Sequence, residues 1–202
     1  MKVTIDSNQV TLDGQTLGEV LDEARILLED QGRVIASVEL DGSPLVGDGL
    51  DDSRDLEIVD GALSLGSEDV TMLATSALGE VDEALLAAEG LQTEAADLLQ
   101  GDDPIPAFEK IGQAMSIWMQ AQQAVAQAAI ITGIDLEELT IEERSASDDI
   151  EHLRERLEQL KDMMVRGDTV ALADTLAYEW PESVGRWRGL VRGLTDQIVN
   201  HP

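Results

Sequence analysis

Chemistry-bearing side chains are densest at Asp148, Asp149, Glu151, His152 and Glu155, where Asp149 and His152 stand three residues apart on one helical face. That spacing can turn a carboxylate and an imidazole toward one metal ion. A di-iron centre in a bundle, however, draws on two Glu-x-x-His pairs and two further inward glutamates. This chain has no Glu-x-x-His, and its one other histidine is His201. The cluster reads instead as the polar start of a helix, where the macrodipole favours acids. A second concentration, Gly47 to Asp55, is rich in aspartate, but Leu50 breaks the alternation of oxygen donors that a calcium loop needs. No Gly-x-x-x-x-Gly-Lys phosphate loop, no Gly-x-Ser-x-Gly elbow and no cysteine occurs. The sequence thus predicts no catalytic, cofactor-binding or metal-binding residue, and no cofactor. Acids are so common that an active site made only of carboxylates cannot be picked out among them.

Residue types suited to recognition are easier to place. Met115, Trp118, Met119, Gln122 and Val125, with Ala114, Ala121 and Ala128, form a stripe in the run Ile111–Ile134, which contains no charged residue. Methionine adapts its shape to varied helices, alanine permits close backbone approach, and glutamine is polar without charge. Bundle core and a groove or oligomer seam are both readings of this stripe. The run is long enough to span a bilayer, but five glutamines within it are costly in hydrocarbon and argue for a helix in water. Near the C-terminus Arg186, Arg188 and Arg192 surround Trp187 and face one acid, Asp196. They suit a contact arm for an acidic partner, or pairing with the acids of this chain itself. Met115, Trp118, Met119, Gln122, Arg186, Arg188 and Arg192 are the candidate partner-binding residues.

The background to these residues is acidic. The chain carries 42 Asp and Glu against 13 Lys and Arg, a formal charge of −29, and only three of the basic residues are lysine. From Val34 to Glu109 there are nineteen acids and one base, Arg54. Such a field repels nucleic acid and anionic membranes and attracts basic partners, while a lysine-poor acidic surface also suits high salt. The N-terminus shows no charged region followed by an apolar one, so no secretory signal is expected and the cytoplasm is the expected compartment.

The elements that must position these residues fall into two regions. Lys2–Asp6 and Gln9–Asp13 alternate as a hairpin. Thr16 and Glu19 form a capping box for a helix carrying Leu17, Val20, Leu21, Ala24, Leu27 and Leu28, with Gly32 past its end. Arg33–Leu40 reads as a strand stopped by Asp41-Gly42, and Asp55–Val59 as a last short strand. Residues 1–63 form this first domain, 64–67 a linker and 68–202 the second domain. In the second, helices are expected over Glu68–Gln100, Pro106–Thr132, from about Ser147 through Met164, and from Gly167-Asp168 to about Val199, the last kinked or broken at Pro181. Four amphipathic helices joined by short turns predict an antiparallel four-helix bundle.

The order ββαββ resembles the β-grasp, or ubiquitin-like, fold over about a third of the chain. Sulfur carriers and modifiers of that class act through a free C-terminal Gly-Gly, whereas this chain runs on past Gly61-Ala62-Leu63, so docking or scaffolding is what the resemblance implies here. Residues 166–181, Arg-Gly-Asp-Thr-Val-Ala-Leu-Ala-Asp-Thr-Leu-Ala-Tyr-Glu-Trp-Pro, resemble a segment of uncharacterised bacterial proteins associated with flagellar or export functions. That resemblance implies no catalytic residue and agrees with small acidic helical chaperones. The sequence as a whole predicts an α+β protein that is not an enzyme. It is expected to act as an acidic adaptor or chaperone-like protein, binding an amphipathic helix or a basic surface through its bundle. The alternatives are an assembly component that forms a homo-oligomer through the Ala/Met/Gln-rich helix, and an enzyme or enzyme subunit.

Overall fold

A computed structural model describes residues 2–57 (Asp48 by its backbone only), 61–101, 104–141 and 143–200. The chain is mixed α and β, with a mixed sheet toward the N-terminus followed by several helices. It divides into two compact units, residues 1–73 and 74–202.

In the first unit β1 (Lys2–Ile5) turns through Asp6 and Ser7 into β2 (Asn8–Val10). Both turn residues have positive φ, 48° and 67°, the twist that matches a two-residue hairpin. Asp6 is held there because its carboxylate accepts from the Ser67 main-chain N–H (2.8 Å) and the Ser67 hydroxyl (2.6 Å). Those bonds, the hydroxyl's first, keep the Asp6 carboxyl below the usual range, with Arg33 adding to them. Helix α1 (Leu17–Glu29) opens on the expected capping box: Thr16 Oγ1 accepts from Glu19 N, and Glu19 Oε2 accepts from Thr16 N. Strands β3 (Arg33–Leu40) and β4 (Ser43–Pro44) flank the Asp41-Gly42 turn, and α2 (Asp48–Asp52) occupies the middle of the acidic Gly47–Asp55 stretch. The last strand, β5, runs over Ala62–Asp69 and lies at the centre of the sheet order β2-β1-β5-β3-β4, parallel to β1 and antiparallel to β3.

Two sequence expectations are corrected by β5. The closing strand runs over Ala62–Asp69; of the expected strand Asp55–Val59, the described residues Asp55 to Glu57 hold only an isolated bridge from Glu57 to Thr16, and Ile58 and Val59 lie outside the described residues. Residues 64–67 are not a linker. Leu63 and Leu65 point into the core at 1% exposure each while Ala62 and Ser64 are exposed, which is strand alternation. The linker-like Gly66-Ser67 has two structural jobs. A Cβ on Gly66 would sit 2.4 Å from Ser37 Oγ, beside the register shift in β3, and Ser67 clamps Asp6.

Helix α3 (Val70–Leu98) follows β5 directly, so it begins two residues later than Glu68. Its buried residues beyond the unit boundary, with Leu99, fall at Ala74, Leu78, Val81, Leu85, Ala88, Gln92, Ala95 and Leu99 in alternating steps of four and three, with Ala96 buried beside them. Helix α4 (Ile105–Thr132) repeats that spacing at Ala107, Ile111, Ala114, Trp118, Ala121, Val125 and Ala128. These are heptad seams, the pattern that keeps one stripe facing inward along a long helix. Lys110 on α4 reaches Glu94 on α3 at 2.6 Å. Of the expected turn between them, Asp102 and Asp103 lie outside the described residues. Helix α4 ends at Gly133 with φ 69°, a left-handed cap.

A small hairpin, β6 (Thr140–Ile141) and β7 (Arg144–Ser145), leads into α5 (Ala146–Arg166), capped by Ser145 and closed by Gly167 at φ 68°. Met164, near the C-terminal end of α5, is 37% exposed. The last helical stretch is α6 (Thr169–Asp174), a π-helical turn over Thr175–Glu179, and α7 (Trp180–Asn200). Pro181 therefore does not break the helical stretch, which runs through it from Thr169 to Asn200 with the π-helical turn just before the proline. The wide turn, in which Trp180 N donates to Thr175 O, takes up the missing donor and the bulk of the ring. Residues from α3, α4, α5, α6 and α7 share one apolar core.

Candidate functional site

The stripe expected on α4 is split by the heptad seam. Trp118 is fully buried, edge-on to Trp180 (centroids 5.4 Å) and to Trp187 (5.8 Å), and so belongs to the core. Met115 is half-buried and packs against that core. Gln122 is also half-buried, and its side-chain amide donates to the Trp118 carbonyl at 3.3 Å. Met119 alone among the four stands in solvent, at 70% exposure.

Met119 belongs to a different row. The seam leaves Gly112, Gln113, Ser116, Met119, Gln120, Gln123, Ala126, Gln127 and Ile130 exposed on the outer side of α4. That row runs for more than four turns and carries no charge, on a chain of net charge −29. On α3, by contrast, Glu80, Glu83, Glu94 and Asp97 are exposed. The uncharged run is visible in the sequence, but the stripe read there joins residues of the inner face, such as Trp118, to Met119 of the outer one. The heptad spacing of Ala107, Ala114, Ala121 and Ala128 was the signal that would have separated the two.

The α7 arginines are engaged within the chain. Arg188 donates to Asp82 of α3 through Nε (2.7 Å) and Nη2 (2.9 Å), and Arg192 Nη2 adds a bond of 3.2 Å to the same carboxylate. The Arg188 bond is the largest influence holding the Asp82 carboxyl below its ordinary range, and Asp82 in turn raises Arg188. Arg186 Nε donates to Asp149 Oδ1 at 2.8 Å, and that carboxylate is 1% exposed. Arg144 Nε lies 3.9 Å from the same oxygen, and Trp187 Nε1 donates to the Asp149 carbonyl at 3.2 Å. Asp149, read from sequence as one of several acids at a helix start, is thus a buried counter-ion. Its solvent-facing neighbours gave no sign of that.

The rest of the Asp148–Glu155 cluster disperses around the helix. Asp148 and Glu155 are exposed, Glu151 pairs with Arg154, and His152 Nε2 lies 3.3 Å from Ser183 Oγ. Burial, followed by the nearby Arg186 and Arg156, lowers the His152 pKa. Among the described residues no group of three or more His, Asp or Glu side chains is placed to hold one metal ion, and no helix is long and apolar enough to cross a membrane. No family model, curated protein or solved structure matches this chain, so the likeness of residues 166–181 to flagellar or export proteins has no support from them.

Proposed function

We propose that this chain is a non-enzymatic acidic adaptor or chaperone-like protein that receives an amphipathic helix along the outer face of α4. The observation that carries this reading is the charge-free row from Gly112 to Ile130 on a polyanionic chain. A partner helix can lay apolar and amide side chains on that row without desolvating a carboxylate. Basic residues at its flanks would meet the exposed acids of α3, which the Lys110–Glu94 pair ties to α4. A homo-oligomer through the same face is the second reading, favoured by the small residues Gly112 and Ala126 within it. The reading includes a cytoplasmic protein that avoids nucleic acid and membrane surfaces through its charge.

Two finer points of architecture belong to the same proposal. The first unit is read as β-grasp-like, supported by a parallel first and last strand at the sheet centre and by α1 set between the two hairpins in sequence. The helices of the second unit are read as a bundle around the tryptophan cluster.

The test is site-specific photocrosslinking in cells at positions 119 and 123, with positions 154 and 158 on α5 as comparison. A partner captured at 119 and 123 but not on α5, and lost in Met119→Glu, is the expected result. Because Met119 is exposed, that substitution should shift stability by no more than about 0.5–1 kcal/mol. Crosslinks to a second copy would select the homo-oligomer, and an unchanged partner in Met119→Glu would exclude α4 as the docking face.

A further inference from the structure

A cleft of about 630 Å³ opens between α7 and the β6–β7 hairpin, within the size range of small-molecule sites. Three arginines line it, Arg144, Arg188 and Arg192, against one acid, Asp196. Among the described clefts it is the one in which cations outnumber acids, on a chain where acids exceed bases about threefold.

The architecture of the cleft rests on three glycines of α7 spaced four apart, Gly185, Gly189 and Gly193. Gly193 has a packing reason: a Cβ there would lie 2.5 Å from Ile141 Cγ1, so it lets the hairpin sit down on the helix. Gly185 has none, since a Cβ there would touch nothing within 4 Å. At Gly189 a Cβ would lie 3.7 Å from Arg144 Nη2, an ordinary contact. A glycine inside a helix is less favourable than alanine, because it loses more backbone freedom on folding. At Gly185 and Gly189 packing does not return that cost, and the visible result is an open floor beneath the guanidinium groups.

The guanidinium groups are arranged as well as gathered. Asp82 takes two donors of Arg188 and one of Arg192, which fixes the two side chains next to each other. Each guanidinium has five N–H donors, so both keep donors beyond those given to Asp82. Arg144 enters from the hairpin with 41% of its side chain exposed, and its Nε is screened from solvent without a hydrogen bond to any described residue. Fork-shaped donors from α7 and from the hairpin match the oxygens of a phosphoryl group better than a single point charge does. The surrounding field repels long polyanions, so the ligand that fits is small.

We propose that this cleft binds a small phosphoryl-bearing molecule, with Arg144, Arg188 and Arg192 as its oxyanion clamp and Asp82 as the residue that positions two of them. The proposal is independent of the α4 docking face.

The test is isothermal titration of the full chain with pyrophosphate, in sodium chloride buffers matched for ionic strength, because screening alone acts on a chain of this charge. Saturable binding of one pyrophosphate per chain is expected. Arg144→Gln should weaken it at least about tenfold, the loss of one charge-assisted bond, while Asp149 keeps Arg186 as its partner. Gly185→Leu, which fills the floor, should abolish binding and hold or raise the unfolding midpoint. Absence of saturable binding at matched ionic strength would overturn the proposal. So would binding that both variants leave unchanged, or succinate binding as tightly as pyrophosphate.

Discussion

Arg186→Met tests whether the α7 arginines are internal struts. Asp149 is 1% exposed, and Arg186 supplies its 2.8 Å hydrogen bond and nearest full charge. Removing one partner of a buried pair leaves an uncompensated charge and costs about 3–5 kcal/mol. Arg144, at 3.9 Å and 41% exposed, remains as a weaker counter-ion and draws the value toward the lower end, about 3 kcal/mol. With a urea slope of about 1–3 kcal/mol/M, the midpoint should fall by about 1–3 M. Arg192→Met is the internal comparison: it is 62% exposed, and Asp82 retains Arg188, so its change should stay within about 0.5 kcal/mol. The double variant Asp149→Leu/Arg186→Met should recover most of the loss, since apolar replacement of a buried pair is often neutral or stabilising. The Trp187 bond to the Asp149 main chain survives in every case. A midpoint shift below about 0.3 M for Arg186→Met would refute the reasoning, because that is the range of an ordinary surface change.

Gln92 sits on the α3 seam at 1% exposure, and neither atom of its amide bonds to a described residue, so Gln92→Met should raise stability by about 1–3 kcal/mol in urea denaturation. An unchanged or lower midpoint would show that the amide is satisfied. For His152 the folded pKa is depressed, so its contribution is fully present above the ordinary histidine value and is lost as pH falls below that value, where the unfolded chain binds the proton first. Its NMR titration should therefore fall below that of a free histidine, and His152→Gln should flatten the stability profile just below the unfolded value. Self-repulsion at a net charge of −29 predicts a melting temperature that rises between low salt and about 0.5 M sodium chloride, and a flat or falling curve would refute it.

How much of this was legible in the sequence depends on the range of the interaction. Local signals carried through: the Thr16–Glu19 box and the long apolar periods of α3 and α4 have their causes within a few residues. Non-local pairing did not. Ser64 to Ser67 have linker composition, and only Asp6, 61 residues from Ser67, and Ser37, 29 residues from Gly66, explain the serine and the glycine there. The same holds at the candidate site. An uncharged run is visible as composition, but which side faces water depends on Trp180 and Trp187 reaching Trp118 from far along the chain. Likewise nothing beside Asp149 distinguishes it from Asp148; the distinction comes from Arg186.

The tryptophan cluster also makes the chain a divided optical system. All three indoles, Trp118, Trp180 and Trp187, are at most 1% exposed and lie in the second unit, while residues 1–107 contain no aromatic side chain at all. Intrinsic fluorescence therefore reports on the helical unit and is blind to the sheet, whereas far-ultraviolet dichroism sums over both. Superimposed melting curves from the two signals would mean that the halves unfold as one cooperative body, and separated curves would time the sheet against the helices without a label on either.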